Sequence, residues 1–259
     1  MLGLASFPPP CPRLASMTLL LLALVVFLAF VIESTLGFGA TVVTVTLGVS
    51  LAPLDQLLPA FVPVNILLSS ALVWRNRQHV DRTMLLCRIL PAMVCGVPFG
   101  MLWFQYGDDR WVLLGFGLFV VGLSTLELLR IFRPRSEHVA PLGPLTRFGM
   151  LFAGGVIHGA YATGGPLAVY VAGRDLPDKS VFRATLSSLW LVLNLLLIAG
   201  YLFSGDLTRD TATLSLVLLV PLVLGLGAGD WLHHRANART FRIAVFVLLG
   251  AAGLILATK

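Results

Sequence analysis

The chain has 259 residues, 58% of them hydrophobic and only 12% charged, with a mean hydropathy of +0.93. Soluble domains average about 25% charged residues, so the composition excludes an ordinary water-soluble fold and indicates an integral membrane protein. The net charge of +6 comes from short basic clusters between apolar runs, the pattern of cytoplasmic loops, so the partner it implies is a lipid bilayer and not nucleic acid.

The chain begins M-L-G-L-A-S-F-P-P-P-C-P-R, and its proline content predicts a disordered tail over residues 1–16. The apolar run that starts at Met17 is too long for a signal-peptide core and has no convincing cleavage site, so it is expected to be retained. Taking about 20 apolar residues per crossing, segments are expected at 17–36, 41–52, 57–74, 84–103, 111–129, 148–173, 184–203, 211–229 and 243–258, for 8–10 membrane segments. Cys11, Cys87 and Cys95 have neither metal-ligand nor disulfide spacing. His233-His234 lacks further ligands for a metal, and no cofactor is called for.

Positive-inside counting puts the basic loops 75–82, 130–147 and 230–242 in the cytoplasm and the acidic loops 105–110 and 204–210 outside. The segment 148–173 then has to enter and return on the cytoplasmic side, because loop 174–183 must also be cytoplasmic. By the same logic 17–52 starts and ends outside. The expected fold is all-α and polytopic. It has two inverted repeats, 17–129 and 148–259, joined by a cytoplasmic linker at 130–147, each built as a broken helical hairpin plus three transmembrane helices.

The hairpin breaks carry the functional signal. Residues 155–174 read G-V-I-H-G-A-Y-A-T-G-G-P-L-A-V-Y-V-A-G-R, and residues 32–41 read I-E-S-T-L-G-F-G-A-T. Setting Gly39 and Ala40 against Gly164 and Gly165 places Glu33 opposite His158. With a gap of a few residues, Asn65 falls opposite Asn194. Backbone groups freed at mid-depth must be met by protein or by a water-filled cavity, and paired breaks in two halves are the sequence mark of a transporter binding site. Helix starts there would point free N–H groups and positive dipole ends at an anion. The candidate substrate-binding residues are Gly37, Gly39, Thr41, Asn65, Tyr161, Thr163, Gly164, Gly165 and Asn194. Glu33 and His158 are the candidate proton-coupling pair. The plainer alternative for the glycines is close helix packing. No G-x-S-x-G elbow or H-E-x-x-H zinc helix is present, so an enzyme is not expected. A passive channel for small solutes is the competing reading.

With its two glycine-rich motifs, E-S-T-L-G-F-G-A-T and H-G-A-Y-A-T-G-G-P, its paired apolar spans and its central basic loop, the chain resembles the sulfite exporter TauE/SafE family of membrane permeases over roughly residues 17–258. The resemblance implies transport of small anions such as sulfite or organosulfonates by a multi-pass protein of the cell membrane, the inner membrane in a bacterium. It implies no agreed set of functional residues. The sequence leaves oligomeric state open, and a homodimer is compatible with it.

Overall fold

The structure is a computed structural model that describes residues 12–36, 38–132, 142–176, 178–235 and 238–258. Among the described residues there are ten α-helices and no strand. They are α1 (Pro12–Leu36), α2 (Ala40–Gly48), α3 (Leu54–Asn76), α4 (Leu90–Tyr106), α5 (Asp109–Phe132), α6 (Pro144–Tyr161), α7 (Gly165–Asp175), α8 (Lys179–Ser204), α9 (Arg209–Arg235) and α10 (Ala238–Ala257). A π-helical turn, Met84–Ile89, leads into α4. Six helical stretches among the described residues are long and apolar enough to cross a membrane. The outer faces carry bare Leu20, Val223, Phe203 and Ile255, as lipid-facing surface does. The expected tail at 1–16 is described only from Pro12, where α1 already begins, and 133–141 of the central linker lie outside the described residues.

Residues 12–76 and 144–204 fold alike. α1 ends at Leu36 and α6 at Tyr161, α2 starts at Ala40 and α7 at Gly165, and the residues preceding α3 and α8 are Pro53 and Asp178. Each pair is 125 positions apart. That offset leaves no gap, so it aligns Asn65 with Trp190 and Ser69 with Asn194. The packing partners correspond as well: α4 lies along α6 and α9 along α1, while α3 meets α8 and α5 meets α10.

The long contacts use glycine to bring backbones together. A Cβ on Gly96 or Gly100 of α4 would lie 2.2 Å from the Phe152 carbonyl or 1.9 Å from that of Val156, on α6. On α9, a Cβ on Gly225 or Gly229 would meet Phe30 Cβ at 2.8 Å or Ser34 Cβ at 2.5 Å, on α1. The same i, i+4 glycine pair therefore builds both interfaces.

Each short helix folds back on the helix before it. At the open end of the first hairpin, a Cβ on Gly48 would touch Leu22 at 3.4 Å. In the second, Arg147 near the start of α6 pairs with Asp175 at the end of α7, at 3.3 Å. These ends belong to opposite faces of the bundle. Asp175 also pairs with Arg88, and Asp230 joins Arg75 and Arg183, which gathers helix ends beside four connections on one face. Asp55, Gln105, Gly107 and Asp206 wall a single cavity on the other. With nine residues in α2 and eleven in α7, the hairpin tips lie about 14–17 Å from their respective faces, near the middle of an apolar core about 30 Å thick.

Candidate functional site

The two hairpin tips meet. Between them lies a cavity of about 20 Å³, walled by Glu33, Phe38, Gly39 and Thr41 of the first tip and by His158, Ala162, Thr163 and Gly165 of the second. Asn65 of α3, with Trp190 and Asn194 of α8, completes the wall. Eight of the eleven residues singled out from the sequence thus surround one space. Of the other three, Gly37 lies outside the described residues. Gly164 sits one residue behind the wall, where its N–H donates to His158 Nδ1 at 3.2 Å. Tyr161 is turned away: its phenol donates to the Val112 carbonyl at 2.7 Å, and its ring packs on Phe116 and Trp103. A phenol next to the break reads as a possible ligand in sequence, but the approach of α5 gives it a protein partner instead.

The tips reverse the chain by local strain. Gly39 has φ +110°, a conformation that suits only glycine well. Ala162 has φ 52°, the left-handed region, and it alone among the described non-glycine residues has positive φ. Its Cβ makes that conformation cost about 1–2 kcal/mol. Its N–H closes the last turn of α6 on the His158 carbonyl at 2.7 Å.

Glu33 and His158 make equivalent contacts. Glu33 Oε2 accepts the Ala40 N–H at 2.9 Å, at the start of α2. His158 Nδ1 accepts the Gly164 N–H, just before α7. Each side chain satisfies a helix-start amide that would otherwise be orphaned. Because Nδ1 accepts, a neutral His158 carries its proton on Nε2.

Several of the remaining polar atoms of the wall make no well-formed hydrogen bond. These are His158 Nε2, Trp190 Nε1, Asn65 Oδ1 and both side-chain polar atoms of Asn194, although each of these residues is at most 6% exposed. A buried polar group left unmade costs about 1–3 kcal/mol. Five such atoms border this one small space. The indole of Trp190 lies parallel to the His158 ring, with centroids 6.0 Å apart.

Trp190 and Phe38 were missed in the sequence reading. The offset that sets Glu33 opposite His158 also sets Asn65 opposite Trp190, so the signal for Trp190 was present. A larger groove of about 660 Å³ runs between α5 and the α6–α7 hairpin. Its wall is mainly leucine, phenylalanine and methionine, and only Glu127 there is acidic. Glu127 is buried at 3% exposure. None of the described residues forms a group of three or more potential metal ligands.

An all-helical bundle with membrane-crossing helices, two broken hairpins and a polar cavity where their tips meet defines a multi-pass membrane protein of the transporter class. The chain belongs to the sulfite exporter TauE/SafE family, whose model matches residues 22–256. It is also 30% identical over 171 residues to the "Probable inner membrane transporter protein TsaS" of Comamonas testosteroni, covering 65% of this chain and 69% of that protein. No solved structure matches it.

Proposed function

We propose that this protein is a secondary transporter that exports small anions, such as sulfite or organosulfonates, across a bacterial inner membrane. The substrate binds between the hairpin tips, and Glu33 and His158 carry a coupling proton. The observation that carries this reading is the set of buried polar groups without a well-formed hydrogen bond at a cavity flanked by two helix starts. Amides at helix starts favour anions, and no Lys or Arg stands in the wall. The family name and the relative's name agree with an exporter and with an inner-membrane location.

We propose further that residues 17–129 and 148–259 are inverted repeats. The shared 125-residue offset, the corresponding helix pairings and the hairpins opening toward opposite faces support this. In such a fold alternating access comes from rocking one repeat against the other around a midplane site. A cavity of about 20 Å³ admits about one water, so a larger anion enters only when the tips separate. That requirement favours a carrier over an open channel.

The test is flux in proteoliposomes. Sulfite loaded inside should leave against its own gradient when a proton gradient is imposed. Movement that only ever runs down the sulfite gradient would make the protein a channel, and no movement of sulfite or sulfonates would end the reading.

A further inference from the structure

Trp190 has no role in the reading above, yet it is the most unusual group in the wall. Its side chain is 6% exposed and its indole N–H has no acceptor. An indole nitrogen can only donate, and buried tryptophans ordinarily find a partner for it. One helical turn further along α8, on the same face, Asn194 is 1% exposed and makes no hydrogen bond of good geometry, its amide facing the His158 side chain. Opposite them His158 has its Nδ1 occupied by the Gly164 N–H. The neutral ring therefore presents Nε2–H, which faces the Asn194 side chain without forming a hydrogen bond of good geometry, so an entering oxyanion can take over that contact.

We infer that Trp190 Nε1–H, Asn194 Nδ2–H and His158 Nε2–H together hold the three oxygens of an –SO3 headgroup, with Trp190 as the residue that sets specificity for it. The inference rests on the anion-site reading and gives it a ligand geometry. Three neutral donors approaching from two helices match a pyramidal group with three acceptors. A planar carboxylate has only two oxygens to offer, and a halide has no directed oxygens. Neutral donors also suit mid-membrane depth, where a buried Lys or Arg would be costly. The indole serves twice, since its face lies along the His158 ring and its edge closes over Gly165, whose Cβ would sit 3.7 Å from Trp190 Cζ2. Sulfite and alkylsulfonates share the headgroup, and the assay below separates them.

The test is calorimetric titration of the purified full chain with sodium sulfite, sodium methanesulfonate and, as the ionic control, sodium chloride. Trp190→Phe keeps the ring and removes the donor. It should weaken sulfite binding about tenfold or more, and Trp190→His, which retains an N–H, should recover part of the loss. Methanesulfonate bound as tightly as sulfite assigns the site to the shared headgroup. Sulfite bound alone assigns it to the free ion. Wild-type affinity in Trp190→Phe, or chloride bound as well as sulfite, overturns the inference. A wild type that binds neither oxyanion overturns the anion-site reading instead.

If Trp190→Phe does not fold, the wild type labelled with 5-fluorotryptophan replaces it. Its resonance is identified by removing Trp74, Trp103, Trp111 and Trp231 in turn, all at least 42% exposed. Sulfite should shift the Trp190 signal. Sulfite binding that leaves that signal unmoved overturns the inference.

Discussion

Gly164 and Gly165 are adjacent, yet the structure gives them different work, and alanine at each should separate packing from ligand contact. A Cβ on Gly164 would lie 2.2 Å from the Gly154 carbonyl oxygen, 2.8 Å from Met93 Cε and 2.9 Å from His158 Cβ. Ordinary contact begins near 3.4 Å, so the Gly154 carbonyl has to retreat by the difference, about 1.2 Å. That carbonyl is part of the α6 backbone and cannot swing aside as a flexible side chain would. Overpacking of this kind costs about 1–3 kcal/mol, which for a chain of this size lowers Tm by about 2–12 °C. It also displaces the N–H that holds His158. A Cβ on Gly165 meets only Trp190 and Phe38, at 3.7–4.0 Å. Gly165→Ala should therefore keep Tm within about 2 °C of wild type while adding a methyl to the cavity wall and weakening anion binding. Thermal melts of both variants in one detergent, followed by sulfite titration, provide the measurement. Equal melting of the two, or a lower Tm for Gly165→Ala, would refute the reasoning.

Two further outcomes are expected. In a background with the native cysteines replaced, single cysteines at positions 107 and 205 should react with an impermeant thiol reagent from outside intact cells. Cysteines at 77 and 183 should react only after the membrane is opened, and labelling of 77 together with 107 from one side would break the topology. Asp178 caps α8, accepting the N–H groups of Val181 and Ser180, and these bonds hold its carboxyl below its ordinary value of 3.8. A depressed folded pKa contributes stability above the unfolded value and loses it as pH falls. The wild-type Tm should therefore drop as pH goes below about 4, and Asp178→Asn should remove that part of the drop; an identical acid profile for the variant would count against the cap.

Much of this was legible in the sequence because it is local. Gly39, Gly164 and Pro166 mark the breaks by backbone chemistry alone, and the helix limits follow the apolar runs. Glu33 and His158 stand out because ionisable groups are rare at membrane depth. What could not be read depends on which helix lies beside which. Tyr161 is occupied by a carbonyl of α5, and Gly96, Gly100, Gly225 and Gly229 look like ordinary small residues until α4 meets α6 and α9 meets α1. Asn65 was aligned with Asn194 because both are amides. The helix starts align it instead with Trp190, and matching residues by type rather than by position hid the indole.

The correspondence of Glu33 with His158 has a chemical consequence that one substitution can test. Both are tied through a single atom to a helix-start amide, so each keeps one atom for other use. For neutral His158 that atom is a donor. For ionised Glu33 it is an acceptor, which repels an anion. A proton on Glu33 turns the acceptor into a donor without disturbing the bond to Ala40, so proton and anion should bind together. His158 is the other titratable group in the wall. On α9, packed against α1, the nearest acid among the described residues is Asp230, already joined to Arg75 and Arg183. Glu33→Gln imitates the protonated state, since its carbonyl can still accept from Ala40 while its amide donates. Wild-type affinity for sulfite should rise as pH falls, whereas Glu33→Gln should stay near the wild-type low-pH affinity from pH 5 to 9 once the ionisation of sulfite itself is subtracted. Since each step of 1.36 kcal/mol is tenfold in affinity, a difference of one ordinary charge-assisted hydrogen bond is measurable by titration. A Glu33→Gln affinity that still tracks pH as the wild type does would move the coupling proton off Glu33.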